Sequence, residues 1–157
     1  MPSTKPWPKQ NSVLLWALAA ISAVGLTDAI YLTITHFTNE LVPCNFSHGC
    51  ETVLKSQYAE IFGIPVAALG VIFYFTTLVI SVFFANHHKY HWLLSVWGAV
   101  GFISTLYLFY LQAFVLHAFC QYCLLSALTS TLTFGITTLL YFTNKHKEDK
   151  VDGNKTS

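Results

Sequence analysis

The chain has 157 residues, of which 54% are hydrophobic, 16% aromatic and only 10% charged, whereas a soluble globular domain carries roughly 25% charged residues. This composition excludes an ordinary soluble domain and indicates a membrane protein. Eight Lys, no Arg and seven acidic residues leave a formal net charge of +1, so no basic surface argues for a nucleic-acid-binding protein.

Four apolar segments reach the length of about 20 residues that a membrane-spanning helix requires. They cover about Val13 to Thr35, Pro65 to Ala85, Leu93 to Leu116 and Cys120 to Phe142. The first is too long for the apolar region of a cleaved signal peptide and lacks a cleavage pattern, so it is predicted to be a retained span. The fold class predicted is all-α integral membrane: a four-transmembrane-helix bundle, with an outer-side loop that carries a short helix.

Polar tails flank the predicted transmembrane domain, which covers residues 13–143. Residues 1–12 and 144–157 are expected to be solvated and disordered tails. With four spans, both tails and the short connection after the second span lie on one side of the membrane. Seven lysines lie on that side and only one on the other; the seven are Lys5, Lys9, Lys89, Lys145, Lys147, Lys150 and Lys155. Because cytoplasmic segments are enriched in positive charge, both termini are predicted to be cytoplasmic.

The two connections on the opposite side carry all four cysteines. The loop after the first span contains CNFSHGC, with Cys44 and Cys50, and the turn before the fourth span contains CQYC, with Cys120 and Cys123. All four are therefore predicted to face a compartment in which disulfides persist. Three interpretations remain open: a structural disulfide that staples the loop to the bundle, a zinc site of four thiolates, and thiol–disulfide exchange.

The spacing and placement of the cysteines favour redox exchange. A CxxC disulfide closes too small a ring to restrict the unfolded chain much, whereas this spacing recurs in thiol–disulfide exchange. Cys44 and Cys50 are more widely spaced than the CxxC pairs of structural zinc sites. Cys120 and Cys123 open the fourth helix, where unpaired N–H groups and the helix dipole stabilise a thiolate. Cys123 lies about 4.5 Å deeper along the helix axis, which suits a lipid-soluble electron carrier.

Two polar residues outside the cysteine pairs have alternative interpretations. The segment CETVLKSQYAE predicts a short amphipathic helix at the membrane surface, on which Ser56 could bind a quinone oxygen or simply remain solvated. Asp28 lies within the first span, where a charge is expensive. A neutral or hydrogen-bonded carboxyl is favoured there over a proton relay.

In combination, these motifs resemble the vitamin K epoxide reductase family (VKOR). The likeness covers about Gly25 to Tyr141. It rests on GLTDAIYL at the end of the first span, the loop cysteine pair, Ser56 six residues after the second of them, FGIPVAALG entering the second span, and CQYC. The chain is most similar to the bacterial members that oxidise periplasmic thioredoxin-fold proteins with quinone, as functional counterparts of DsbB.

The resemblance implies a role for each site residue. Cys120 and Cys123 are implied to be the quinone-facing redox pair, and Cys44 and Cys50 the shuttle pair. Ser56 is implied to lie beside the quinone. Further residues expected to line the quinone pocket are Phe62, Pro65 and Val66. The implied electron acceptor is ubiquinone or menaquinone, and no metal is expected.

The implied activity is that of a quinone-dependent thiol–disulfide oxidoreductase that supports disulfide bond formation. It is expected in the bacterial inner membrane, with its cysteines on the periplasmic side and a separate DsbA-like thioredoxin-fold protein as partner. One alternative is a vitamin K quinone or epoxide reductase of the endoplasmic reticulum. Epoxide reduction is disfavoured because the vertebrate enzymes look to have polar residues near the positions of Val66 and Ala127. The alternative of another class is a non-enzymatic membrane protein braced by disulfides or zinc.

Overall fold

The computed structural model describes residues 9–38, 40, 42–44, 49–83 and 89–153, most of which are helical. In chain order the elements are α1 (Lys9–Thr38), α2 (Cys50–Leu54), β1 (Glu60–Ile61), β2 (Ile64–Pro65), α3 (Val66–Phe83), α4 (Lys89–Tyr110), a π-helical turn (Leu111–Val115) and α5 (Gln121–Gly153). Helix α1 packs against α3 and α5, and α4 packs against α5.

Within the described residues, four helical segments are long and apolar enough to cross a membrane. They are Val13–Thr38, Val66–Phe83, Trp92–Val115 and Gln121–Thr143, and they agree with the predicted spans to within a few residues. Many large apolar side chains on them point outward, including Trp16, Ile72 and Ile103, as expected where lipid surrounds the helices. The predicted four-helix membrane bundle is confirmed, and the chain is a multi-pass membrane protein.

Small residues and hydroxyl groups connect the helices inside the bundle. The ring of Tyr74 on α3 packs against Gly25 on α1, where a Cβ atom would overlap it. The Tyr74 hydroxyl then donates to the Ser126 carbonyl oxygen at 2.9 Å and lies 2.8 Å from the Thr129 hydroxyl. Lipid gives apolar helices little reason to associate, so close approach at small residues and interhelical hydrogen bonds position α1, α3 and α5 together.

The structure corrects the prediction for the carboxyl-terminal tail. Helix α5 continues to Gly153, so residues 144–153 are helical, where a disordered tail was predicted. Lys and Glu favour helix once a preceding segment has nucleated it, and a glycine is the usual residue at which a helix ends. At the other end, α1 already begins at Lys9. Residues 1–8 and 154–157 lie outside the described residues, and the prediction for them stands untested.

The predicted loop helix is confirmed but short, because α2 ends at Leu54. The Ser56 hydroxyl donates back to the Val53 carbonyl oxygen at 2.8 Å, a local hydrogen bond of the kind that competes with helix continuation. A β1–β2 hairpin then leads into α3. Its turn residues Phe62 and Gly63 have φ angles of 53° and 77°, the left-handed pair that a tight hairpin turn requires.

Candidate active site

All four cysteines lie together at one end of the bundle, called here the cysteine end. Cys50 and Cys120 are 1% and 0% exposed and form a buried cluster with Val53, against which Cys44 and Cys123 pack. The loop after α1 and the start of α5 are far apart in sequence. The fold therefore brings together in one site the two cysteine pairs that the sequence placed on one side of the membrane.

The two pairs differ in redox state. Cys44 and Cys50 form a disulfide with their Cα atoms 6.2 Å apart, and Cys120 and Cys123 are free thiols. A thiolate can attack a neighbouring disulfide sulfur and pass on two electrons through a mixed disulfide. Among the described residues, no group of three or more His, Cys, Asp or Glu side chains is arranged to hold a metal ion.

Backbone contacts hold the cysteine loop against the segment that precedes α5. A Cβ atom at Gly49 would lie 2.8 Å from the amide nitrogen of Phe119 and 2.9 Å from its carbonyl oxygen, so only glycine allows this approach. On the other side of the loop, the Pro43 carbonyl oxygen accepts hydrogen bonds from the Tyr122 hydroxyl at 3.2 Å and from Gln121 Nε2 at 3.3 Å. Both flanks of the Cys44–Cys50 loop are thus attached next to Cys120.

Cys120 caps the start of α5. Its carbonyl oxygen accepts the first helical hydrogen bond, from Leu124 N at 3.0 Å, and its own N–H donates to Gln112 Oε1 at 3.0 Å. Gln112 is 4% exposed and lies in the π-helical turn that ends the third span. Sequence reasoning missed Gln112; the available signal was a lone polar side chain in an apolar span.

The surroundings of Cys120 favour its thiolate. A hydrogen bond from the Cys123 thiol has the largest effect and lowers the pKa of Cys120 to about 7, with the backbone N–H groups of Cys123 and Tyr122 acting in the same direction and burial acting against them. This direction agrees with the one expected at a helix start. The lowered pKa makes Cys120 easier to ionise than an ordinary cysteine.

Ser56 lies beside the cysteine cluster, in a different depression. It lines a cavity of about 420 Å³ with Leu32, Thr35 and other residues from the end of α1 and from the loop. His36 and Glu60 also line this cavity, with the His36 Nε2 and Glu60 Oε1 atoms 3.0 Å apart. Ser56 is connected to the cysteines through Val53, whose carbonyl oxygen accepts its hydrogen bond.

The three further residues predicted for a quinone pocket do not converge with Ser56. None of Phe62, Pro65 and Val66 is among the residues that line the cavity beside Ser56. Phe62 is fully exposed at the hairpin tip, whereas Pro65 is buried and Val66 half-buried at the start of α3. Their role in binding a quinone stays a prediction.

The comparisons with known proteins agree with the site. Residues 16–138 match the family model of the vitamin K epoxide reductase family, and this range includes all four cysteines. The chain is also similar to the thiol-disulfide oxidoreductase LTO1 of Arabidopsis thaliana, with 28% identity over 119 residues, which is 69% of this chain and 32% of the relative. It thus spans about a third of the length of that curated relative. Because the family match extends over most of the sequence, the chain belongs to the vitamin K epoxide reductase family.

Proposed function

We propose that the chain is a membrane thiol–disulfide oxidoreductase that oxidises a thiol protein and passes the electrons to quinone. The observation that carries this proposal is the single buried cluster in which a Cys44–Cys50 disulfide lies beside the Cys120 and Cys123 thiols. Membership in the family and the similarity to a thiol-disulfide oxidoreductase support it.

The burial of the four cysteines suggests an order for the electron path. Cys44 is half-buried beside exposed Pro43 and is the more accessible of the loop pair, so it meets the thiolate of the partner protein. Cys50 is buried against Cys120. Once reduced, Cys50 attacks the Cys120–Cys123 disulfide at Cys120. Two electrons then pass from the loop pair, Cys44 and Cys50, to Cys120 and Cys123, which are called here the helix pair. Each transfer is the attack of a thiolate on a disulfide sulfur.

Cys123 is the member of the helix pair placed to meet quinone. It lies in the first turn of α5, inside a segment that spans the membrane, and the next residues, Leu124 and Leu125, expose apolar side chains. Apolar surface at this depth suits a lipid-soluble ring, and quinone is the electron acceptor that can reach it from the bilayer. Ubiquinone and menaquinone both meet this requirement.

The test is the reoxidation of purified protein in which all four cysteines have been reduced with a dithiol. Under anaerobic conditions, one equivalent of quinone should remove two of the four thiols that a maleimide reagent labels, and an excess should remove all four, because Cys44 and Cys50 reduce the Cys120–Cys123 disulfide again and are themselves oxidised. A Cys123→Ala variant should keep all three of its remaining thiols, because it cannot form the Cys120–Cys123 disulfide. Four labelled thiols in the wild-type protein after quinone addition would disprove quinone dependence.

The partner that supplies the electrons is proposed to be a separate thioredoxin-fold protein of the DsbA type. Its chemistry follows from the site: it must present an exposed reduced cysteine to a disulfide that is open to the aqueous side near Pro43. The chain would then support disulfide bond formation in a bacterial periplasm, with the cysteine end facing that compartment.

The orientation gives a prediction with a direct readout. A reporter fused after Ser157 should remain cytoplasmic, and a tag inserted near Asn39 should be accessible from outside, because seven of eight lysines lie on the side of the termini. Protease protection in spheroplasts distinguishes the two sides. An accessible carboxyl terminus would overturn the proposed location of the cysteines.

Ser56→Ala should slow the reduction of quinone and leave the disulfide between Cys44 and Cys50 able to form. In the structure the hydroxyl donates to Val53, so binding a quinone oxygen exchanges one hydrogen bond for another. The expected loss is about 1 kcal/mol, or roughly fivefold in rate, measured by stopped-flow absorbance of the quinone. Ser104→Ala is a matched control, since Ser104 is an exposed hydroxyl on α4. Equal rates for both variants would remove Ser56 from the quinone site.

A further inference from the structure

Asp28 is a buried carboxyl group for which the electron path gives no role. It is 7% exposed, and within the described residues its Oδ2 atom has no hydrogen-bond partner. It lies on α1 about 15 Å along the axis from the end of that helix at Thr38, inside the membrane-spanning segment. A buried carboxyl oxygen without a partner is costly, and an ionisable residue inside a membrane span is by default a candidate functional group.

Two contacts of α1 show which way Asp28 faces. One turn before it, Gly25 packs against the ring of Tyr74. One turn after it, Tyr31 contacts Tyr122 of α5, with ring centroids 5.4 Å apart. Residues three positions apart are neighbours on a helix surface, so Asp28 lies between these two contacts and faces the side of α1 that meets α3 and α5.

Cys123 lies in the first turn of α5, close in sequence to the residues that contact α1 and α3. Tyr122 and Ser126, the residues that contact Tyr31 and Tyr74, stand on either side of Cys123 in the first turns of α5. Tyr122 follows Cys120 by two residues, so the Tyr31–Tyr122 contact places Asp28, one turn deeper on α1, near the level of the first turn of α5. Asp28 and the helix pair therefore share one buried region at the cysteine end.

The titratable groups around Asp28 come from every helix that packs there. They are Tyr31 on α1, Tyr74 on α3, Tyr122 and Cys123 on α5, and Cys120 immediately before α5. The Tyr74 hydroxyl is already hydrogen-bonded to α5, and the Tyr122 hydroxyl donates to Pro43. The Cys120 and Cys123 sulfur atoms are the groups whose charge or protonation must change when they form or break their disulfide.

We propose that Asp28 supplies one of the two protons that quinone takes up, and that Asp28 and Cys120 alternate in carrying a single negative charge. This inference rests on the proposed function. In the dithiol state Cys120 is a thiolate and Asp28 is a neutral carboxylic acid. In the disulfide state Cys120 carries no charge and Asp28 is a carboxylate. A second negative charge in this poorly solvated region would be costly, and alternation avoids it in both states.

The oxidation step balances without a proton from water. The Cys120 thiolate and the Cys123 thiol form a disulfide and give up two electrons and one proton, and Asp28 gives up a second proton. Quinone takes up both electrons and both protons and leaves as quinol. The site carries one negative charge before the step, on Cys120, and one after it, on Asp28.

The reduction step balances in the same way. The Cys44 and Cys50 thiols become a disulfide and release two protons while two electrons pass to the helix pair. One proton goes to Cys123, which becomes a thiol, and the other goes to Asp28, which becomes neutral. Cys120 is left as the thiolate. Oxidation of Cys44 and Cys50 thus returns a proton to Asp28 before the next quinone binds.

Infrared difference spectroscopy tests the alternation without quinone. Protein reduced with a dithiol and then oxidised with a soluble disulfide reagent should lose the carbonyl band of a protonated carboxylic acid. The band should be absent from both states of Asp28→Asn and present in Asp28→Glu. A wild-type difference spectrum without this band, or with the same band in Asp28→Asn, would overturn the proposal.

Quinone kinetics test the proton delivery. Asp28→Asn should slow quinone-dependent reoxidation of the dithiol by roughly 100-fold, a usual loss when a general acid is removed, and its rate should rise as the pH falls because solvent protons then replace the missing one. Asp28→Glu should recover most of the rate. The control is Ser22→Ala on the same helix, which removes another buried polar group that has no hydrogen-bond partner in the described part of the chain and should react like the wild type.

The failure of this inference differs from the failure of the proposed function. If quinone reoxidises wild type and Asp28→Asn at the same rate at every pH, Asp28 is not the proton donor, and the electron path stands. If quinone fails to reoxidise the wild-type protein, both the proposed function and the proton delivery to quinone are disproved. The charge alternation is then decided by the infrared experiment alone.

Discussion

Replacing Cys44 by alanine should trap a disulfide between Cys50 and Cys120 in most of the protein once quinone has oxidised the helix pair. Cys50 and Cys120 are buried in one cluster, and without Cys44 no loop cysteine remains to resolve the intermediate. Cys123 should be left as the free thiol. Peptide mapping by mass spectrometry under non-reducing conditions, after alkylation of free thiols, identifies both the disulfide and the labelled cysteine.

The matched control for this trap is Cys50→Ala, which leaves Cys44 as the loop cysteine. Cys44 is only half-buried, so this variant should show mainly the Cys120–Cys123 disulfide with Cys44 alkylated. If Cys44→Ala also gives only Cys120–Cys123, with Cys50 free, the loop does not exchange disulfides with the helix pair. The electron path proposed above would then be wrong at its central step.

Gly49→Ala should slow electron transfer between the two cysteine pairs by roughly 5- to 150-fold. The added Cβ would meet backbone atoms of Phe119 at 2.8 and 2.9 Å, and the neighbouring backbone cannot move aside as a flexible side chain would. Overpacking of this kind costs about 1 to 3 kcal/mol, and each 1.36 kcal/mol corresponds to a tenfold change in rate. Stopped-flow measurement of quinone reduction by the four-thiol protein, with rapid quenching by acid, follows the transfer.

Gly135→Ala is the matched control, because a Cβ at Gly135 on α5 meets nothing within 4 Å. This variant should keep the wild-type rate and the wild-type midpoint of thermal unfolding. For Gly49→Ala, the reoxidation of Cys120 and Cys123 by quinone should remain close to normal, since the change affects the loop and not the helix pair. A wild-type rate of transfer between the pairs in Gly49→Ala would show that the close contact at Phe119 is not needed for exchange.

The amino-acid sequence determined the four spans and the position of the cysteine pairs relative to them. Apolar length alone marks a membrane helix, since every backbone polar group in lipid must be paired within its own segment. The span limits and the short α2 were accordingly predicted. Because two spans lie between the two cysteine-bearing connections, the sequence also placed both cysteine pairs at one end of the bundle. Local sequence was a poorer guide for residues 144–153, because helix can continue out of a membrane span on favourable residues such as Lys and Glu.

The tertiary structure decided how the two pairs meet and which side chains support them. The rotation of each helix and the path of the loop depend on contacts between distant segments, such as Gly49 with Phe119, and no local pattern records these. The Gln112 cap on Cys120 depends on the π-helical turn, which shifts the direction of side chains after α4. Asp28 was recognisable from sequence as a charge in a span. That it lies on the side of α1 that meets α3 and α5 is decided by the packing of Gly25 against Tyr74 and of Tyr31 against Tyr122, because these contacts set the rotation of α1 against α3 and α5.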